Sequence, residues 1–170
     1  MTMENSYALI TGASSGIGLE IAKDLAGRGY NLILTARRTE LLESISKEIS
    51  EENNVHVDLI SKDLSNYDAP REIFEFCESN NYKVDVLINN AGYGIKTSFH
   101  KTSIEDEESF IRVLGTSVIM LTKLFIPKMI ENQSGKIMIV SSVASFAAPS
   151  AIQPLYLSLI HISEPTRPSQ

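Results

Sequence analysis

The stretch Thr11-Gly12-Ala13-Ser14-Ser15-Gly16-Ile17-Gly18 follows a short apolar run at residues 7–11, and apolar residues then return at helical spacing. A strand that turns through three glycines into a helix is typical of nucleotide-binding βα units. Gly12 allows the tight turn, Gly16 lets a pyrophosphate approach the backbone, and Gly18 allows close packing of helix on strand. The helix start also offers free N–H groups to phosphates. The pattern predicts a nucleotide site, and a βα turn without a ligand is the alternative.

Four more apolar runs of strand length recur along the chain, at residues 31–35, 55–60, 84–88 and 136–140. They are nearly continuous rather than alternating, as in strands that are covered on both faces of a parallel sheet. Helical patterns lie between them, the longest over residues 104–130. The order predicts an α/β fold, a doubly wound parallel sheet with helices on both faces and right-handed crossovers.

The composition is that of a globular domain. The 170 residues are 43% hydrophobic and 21% charged, and 15 basic and 21 acidic residues give a net charge of −6. The acidic balance argues against nucleic acid as a partner, because that partner needs a basic face. The first residues have no basic and apolar segments of a signal peptide. Residues 116–130, the most apolar long window, contain two lysines and a proline and are short for a membrane span, so we expect no membrane partner.

Sulfur and imidazole ligands are scarce. Cys77 is the only cysteine, which excludes a disulfide framework and a four-thiolate metal site and suits a reducing cytoplasm. His56 and His100 have no neighbouring ligand set, and a packing or surface role is expected for both. We therefore predict a cytoplasmic protein without a metal site.

Two further motifs follow predicted strands. Asn89-Asn90-Ala91-Gly92 comes directly after the fourth apolar run, and Ser141-Ser142 directly after the fifth. With the glycine turn, they resemble the TGxxxGxG, NNAG and catalytic-serine segments of short-chain dehydrogenases/reductases, over residues 6 to about 156. The resemblance implies a Rossmann-type fold and a nicotinamide dinucleotide cofactor at the carboxyl ends of the strands.

The resemblance also assigns cofactor contacts. In that family an aspartate after the third strand bonds the adenine, which here selects Asp63 and Leu64; a cap for a helix starting near Asn66 is the alternative for Asp63. The NNAG-like segment would lie beside the adenosine ribose. The full predicted set is Gly12, Ser14, Ser15, Gly16, Ile17, Gly18, Arg37, Asp63, Leu64, Asn90, Ala91 and Gly92.

Cofactor preference depends on the end of the second strand. A site for NAD(H) would place an acid there, about 20 residues after the turn, to bond the ribose 2′-hydroxyl. The sequence has Arg37 and Arg38 instead. Arg37 can form a bidentate bond to a 2′-phosphate, which predicts NADP(H) over NAD(H). Arg38 is interpreted as a solvated residue that opens the next helix.

The catalytic residues implied by the resemblance are incomplete. Ser142 matches the serine that orients the substrate oxygen, and Tyr156 matches the acid/base tyrosine, with one residue more than the usual gap. A lysine four residues later normally favours the tyrosinate, but position 160 is Ile160. The relay asparagine is also replaced, by Arg112.

The last residues of the chain, 157–170, offer an explanation for the missing lysine. Residues 157–167 read LSLIHISEPTR, which resembles a translation of a common transposase-based sequencing adapter. We therefore expect residues 1–156 to be an incomplete nucleotide-binding domain, truncated after about the fifth strand, and residues 157–170 to be an adapter-derived tail.

Two hypotheses follow for function. The first is an NADP(H)-dependent oxidoreductase that transfers hydride between nicotinamide and a carbonyl or alcohol substrate; the parent would form homo-oligomers, as is usual in the family, and this piece would be inactive. The second is a nucleotide-binding or regulatory protein of the same fold without catalysis, which Ile160 and Arg112 favour.

Overall fold

A computed structural model of the chain describes residues 6–95, 97–142 and 159. Strands and helices alternate along it, as the apolar runs predict. The strands are β1 Ser6–Thr11, β2 Asn31–Ala36, β3 Val57–Ser61, β4 Lys83–Asn89 and β5 Lys136–Ile139. The helices are α1 Gly16–Gly27, α2 Thr39–Asn53, α3 Ala69–Ser79, α4 Ile104–Ile111 and α5 Ser117–Glu131, with a π-helical turn at Arg112–Thr116 and a short 3₁₀ turn at Phe99–Lys101.

The five strands form one parallel sheet in the order β3-β2-β1-β4-β5. Strand β1 pairs with β2 on one side and with β4 on the other, so Leu9 lies opposite both Ile33 and Leu87. The chain reverses its direction across the sheet at β1. In an open α/β sheet, this reversal leaves a crevice at the carboxyl ends of the strands, which is where ligands bind.

Both faces of the sheet are buried at its central strands β1, β2 and β4, and helices cover both faces, which confirms the doubly wound, Rossmann-type prediction. In β1, Tyr7 and Leu9 belong to the core cluster that includes residues of α3 and α5, whereas Ala8 and Ile10 belong to the cluster with α1 and α2. The two clusters alternate along the strand because successive side chains point to opposite faces. Apolar residues at consecutive positions are therefore needed, and this is why the strands appear in the sequence as continuous runs.

Strand limits agree with the predicted runs to within two residues, and the third strand differs at its start. It begins at Val57 rather than at position 55. The Val55 carbonyl accepts a hydrogen bond from Ser50 Oγ, and the His56 N–H donates to Asn31 Oδ1. These two residues belong to the turn that closes α2, whose cap Asn54 has a left-handed backbone.

The helical segment from Ile104 to Glu131 is long and apolar enough to cross a membrane by length and composition. The expectation of too short a span concerned residues 116–130, which form only part of this segment, and a core helix passes the same test of length and composition. In the fold, the segment packs on the sheet: Phe110, Leu121 and Phe125 are buried, and Phe125 packs edge-to-face on Phe74 of α3. A core helix has the same apolar character as a membrane span. The contacts of these three residues with the core explain why one side of the segment is apolar.

Candidate functional site

The glycine turn is packed against the loop that follows β4. Gly12 has a backbone φ of +67°, and a Cβ atom on it would lie 2.8 Å from Ala91 Cα. A Cβ atom on Gly18 would lie 2.4 Å from Asn90 Nδ2 and 2.5 Å from the Gly12 carbonyl oxygen. Side chains have no room at these two positions, so both glycines are required for the turn to meet the NNAG-like loop.

Thr11 and Asn90 join the two segments by hydrogen bonds. Thr11 Oγ1 accepts from the backbone N–H groups of Asn90 and Ala91, at 2.9 and 3.0 Å. In return, Asn90 Nδ2 donates to the carbonyl oxygens of Thr11 and Gly12, at 3.0 and 3.2 Å. The Asn90 amide therefore holds the turn, while its backbone lines the cleft beside it. Thr11 lies at the start of the motif but was not among the predicted site residues.

The amino end of α1 suits an anion. Gly16 has φ +58°, and nothing lies within 4 Å of the position its Cβ would take. The Ser15 side chain makes no capping hydrogen bond, and the first turn of α1 has no acidic residue. The chain at Gly16 thus borders open space, and the helix dipole favours negative charge at this end of α1. A dinucleotide pyrophosphate fits these residues.

One cavity lies beyond the turn, at the carboxyl ends of β1, β2 and β3. It brings together eight of the predicted cofactor contacts, namely Gly12, Ser14, Ser15, Arg37, Asp63, Leu64, Ala91 and Gly92. Arg37 is exposed, and within the described residues its guanidinium has no hydrogen bond or ion pair. It therefore offers an uncommitted positive charge at this end of the cleft.

Two further cations line the same cavity and were not selected from the sequence. Arg38 donates to Ser14 Oγ at 3.2 Å, so it crosses to the glycine turn as well as preceding α2. Lys62 is paired with Glu72 at 2.6 Å. Basic residues next to a strand end are common on surfaces, and only the fold shows that these two reach the cleft.

Asp63 lies at the cleft and does not cap the helix that was the alternative role for it. It lines the cavity, and its Oδ1 accepts a hydrogen bond from the Ser65 N–H at 2.9 Å. This bond shapes a turn rather than a helix cap, because α3 begins at Ala69. Leu64 beside it is buried and provides an apolar wall.

A second cavity continues the cleft towards β5. Gly12, Ser15, Ala91, Gly92 and Tyr93 border both cavities. The remaining lining of the second consists of Ile17, Asn90, Gly94, Leu114, Val140 and Ser141. The cleft thus runs along the carboxyl edge of the sheet from β3 to β5.

Of the predicted catalytic residues, the structure describes Ser142, which follows β5. Ser141 lines the second cavity, and Ser142 follows it as a half-buried residue. Tyr156 and Ile160 lie outside the described residues. Gly18 lies beneath the turn and borders neither cavity, which agrees with its contact to Asn90.

The position of the replaced relay residue is structurally unusual. Arg112 begins the π-helical turn between α4 and α5, and such turns are frequent at functional sites. The Arg112 guanidinium pairs with Glu108 at 3.1 Å, one turn earlier on the helix. The Arg112 side chain therefore forms an ion pair with a residue of the same helical segment.

The described residues contain no group of three or more side chains that could hold a metal ion. Cys77 is free and buried in α3, and burial raises the pKa of its thiol from an ordinary 9.0 to about 12. Besides Asp63 and apolar groups, the cavity with Arg37 is lined by backbone amides, hydroxyls and cations, which suit phosphate binding.

Fold and site together define a dinucleotide-binding α/β protein of the doubly wound class. The sequence profile of the family described as short chain dehydrogenase matches residues 6–158. The chain therefore belongs to the short-chain dehydrogenase family. A curated relative, the very-long-chain 3-oxoacyl-CoA reductase of Vanderwaltozyma polyspora, is 35% identical over 134 residues. That alignment covers 75% of this chain and 37% of the relative, so the chain spans little more than a third of that protein.

Solved structures agree with the assignment. A short-chain dehydrogenase from Sphingobium yanoikuyae in complex with NADPH matches with a TM-score of 0.86 at 28% identity, over 93% of this chain and 61% of that one. A metagenomic short-chain oxidoreductase in complex with NADP matches with a TM-score of 0.85 at 31% identity, over 92% of this chain and 71% of that one.

Proposed function

We propose that this chain is the dinucleotide-binding part of an NADP(H)-dependent oxidoreductase that transfers hydride between nicotinamide and a carbonyl or alcohol substrate. The observation that carries the proposal is the continuous cleft from β3 to β5. It has an uncapped helix end beside the glycine turn, the free Arg37 guanidinium in one cavity and Ser141 in the other. Relatives solved with NADPH or NADP support the same cofactor class.

Each part of the cleft has a role in this proposal. The N–H groups at the start of α1 bind the pyrophosphate, Asp63 and Leu64 hold the adenine, and Arg37 binds the 2′-phosphate. Ser142 orients the substrate oxygen, and Tyr156 donates or accepts its proton. The bound cofactor supplies the hydride. Tyr156 needs a neighbouring cation to ionise near neutral pH, and position 160 does not supply one.

Binding of the two cofactors to the 170-residue chain tests the cofactor preference. A bidentate charge-assisted pair contributes roughly 1.5–3 kcal/mol, so we expect NADP(H) to bind at least about tenfold more tightly than NAD(H). Arg37→Ala should remove most of this difference and leave NAD(H) binding nearly unchanged. Isothermal titration calorimetry at one fixed salt concentration measures all four dissociation constants.

The matched control is Arg28→Ala. Arg28 is also an exposed arginine, but it is paired with Asp24 at the far end of α1. Its loss should leave both dissociation constants unchanged. Tighter binding of NAD(H), unaffected by Arg37→Ala, would contradict the preference, and no binding of either cofactor would contradict the function itself.

A second candidate is a nucleotide-binding protein of the same fold without catalysis. It is favoured by the Arg112–Glu108 ion pair, which uses the side chain at the relay position, and by Ile160. Recovery of the parent coding sequence beyond residue 156 separates the two candidates. A lysine four residues after Tyr156 supports the oxidoreductase, and its absence there supports the binding protein.

The remaining assignments belong to the same proposal. Residues 1–156 form the nucleotide-binding domain, and residues 157–170 are an adapter-derived tail, so the piece is inactive although its parent is an enzyme. The parent is cytoplasmic, acts on a small molecule and forms homo-oligomers. Exposed isoleucines on the long helical segment, at Ile119, Ile126 and Ile130, support the last point.

A further inference from the structure

Tyr93 stands where the two cavities of the cleft meet. It follows the NNAG-like segment directly and contributes to the lining of both cavities. On one side lies the cavity with Arg37, and on the other the cavity with Ser141. Tyr93 is 38% exposed, so part of the residue is open to the cleft.

The ring is held in place from behind. It packs edge-to-face on Phe110 of α4, with centroids 5.3 Å apart and planes at 83°. Phe110 is only 1% exposed, so this contact is anchored in the core. One edge of the Tyr93 ring is thus fixed, and the exposed part of the ring faces the cleft. Burial raises the pKa of Tyr93 and the charge of Arg37 opposes that rise, so the phenol lies within electrostatic reach of the guanidinium.

We propose that Tyr93 is a cofactor-positioning residue, whose ring forms the wall that a dinucleotide must touch as it passes from one cavity to the other. The inference rests on the proposed function. It follows from the shared lining, because a ligand that fills both cavities crosses a border formed by Gly12, Ser15, Ala91, Gly92 and Tyr93, of which Tyr93 is the only aromatic residue. An aromatic ring offers a flat contact to ribose or base atoms without losing much entropy.

Two nucleotides of different length test the role of Tyr93. NADP⁺ fills both cavities, whereas adenosine 2′,5′-bisphosphate fills only the cavity that contains Arg37. Tyr93→Ala should therefore raise the dissociation constant of NADP⁺ about tenfold, as truncation of an aromatic contact to a nucleotide does. The dissociation constant of adenosine 2′,5′-bisphosphate should rise to a smaller extent, about threefold or less.

Tyr93→Phe is the conservative variant, because it keeps the ring and the contact with Phe110. It should bind both probes within about twofold of the unchanged chain, which a role of the hydroxyl would not allow. Calorimetric titration of the 170-residue chain gives the constants, and circular dichroism shows that each variant is folded. Tyr93→Leu, which keeps an apolar contact to Phe110 without a flat ring, replaces Tyr93→Ala if the latter does not fold.

The outcomes are distinct. Equal binding of NADP⁺ by the alanine or leucine variant and the unchanged chain overturns the inference and leaves the proposed function intact. Weak binding by Tyr93→Phe assigns the contact to the hydroxyl and also overturns it. If the unchanged chain binds neither probe, the proposed function fails and the inference fails with it.

Discussion

Thr11 Oγ1 holds three backbone groups around one buried oxygen. It accepts from the N–H groups of Asn90 and Ala91 and donates to the Ile88 carbonyl at 3.3 Å. Thr11 is 1% exposed, so water does not replace these partners. Leaving a buried N–H unsatisfied costs roughly 1–3 kcal/mol. A single hydroxyl therefore sets the distance between the glycine turn and the loop after β4, and with it the shape of the cleft.

Gly18→Ala tests this close packing at one residue. The new Cβ would meet Asn90 Nδ2 and the Gly12 oxygen at less than 3 Å, so the turn and the loop have to move apart. We expect a loss of about 1–3 kcal/mol in the free energy of unfolding, measured by urea denaturation. NADP(H) binding should weaken as well, because the turn shifts.

Gly27→Ala is the control in the same helix. A Cβ there would lie 3.7 Å from Asn53 Oδ1, an ordinary contact. The free energy of unfolding should stay the same or rise by up to about 1 kcal/mol, since alanine reduces the entropy of the unfolded chain. Equal losses for the two variants would mean that the contact of Gly18 with Asn90 has no special role.

Some residues of the site could be predicted from the sequence, and others could not. The glycines of the turn were predictable, because local backbone needs restrict these positions to one residue type. The bonds between Thr11 and Asn90 were not, since they join positions 79 apart. Arg38 was interpreted as a solvated residue that opens the next helix; it is exposed and precedes α2, and it also donates to Ser14, which the sequence did not indicate. Its reach depends on where α2 starts relative to the turn, which only the fold determines.

Elements are more predictable than contacts, and the π-helical turn shows the limit. The central strands β1, β2 and β4 are buried on both faces and need continuous apolar runs, and apolar runs also marked the half-buried β3 and the mostly exposed β5. The segment from Ile104 to Glu131 was predicted as one long helix, and its Arg112–Thr116 turn was not. A π turn inserts one residue without changing which residues are apolar, so the helical pattern does not mark it.

Phe125→Ala tests the packing of α5 on α3. Phe125 is 3% exposed and packs on Phe74, and its truncation leaves a cavity in the core. The free energy of unfolding should fall by about 3–5 kcal/mol. Ile126→Ala, at the next position of the same helix, is the control, because Ile126 is 37% exposed. It should cost less than about 1 kcal/mol; a similar loss for both variants would show that α5 does not bury the Phe125 face.

At the scale of the whole molecule, the sheet separates two kinds of surface. Its carboxyl edge carries the cleft with hydroxyls, amides and cations. Its amino edge carries packed ionisable rings: Tyr7 stacks on Tyr82 at 4.3 Å, Tyr82 donates to Asp58 at 2.7 Å, and Cys77 is buried in the same cluster. The first edge is open to ligands, whereas the second excludes water from groups that would otherwise ionise at alkaline pH.

The buried ionisable groups at the amino edge of the sheet should make the protein less stable at alkaline pH. Burial raises the pKa of Cys77 from 9.0 to about 12 and also raises the pKa values of Tyr7 and Tyr82, the latter aided by its bond to Asp58. Between pH 9 and 12 the unfolded chain has lost protons that the folded chain keeps. The contribution of Cys77 to stability is therefore complete below about pH 9 and falls as the pH rises, by about 1.4 kcal/mol per pH unit, and the two tyrosines act in the same direction at higher pH.

Cys77→Ala isolates one of these groups. Urea denaturation at intervals from pH 7 to pH 11 gives the free energy of unfolding as a function of pH. Above pH 9, the variant should lose stability less steeply than the unchanged chain, by about 1.4 kcal/mol per pH unit, because one of its titrating groups is missing. Only the slopes are compared, so a constant loss from the smaller side chain does not matter. Parallel curves would show that the thiol ionises as readily in the folded chain as in the unfolded one.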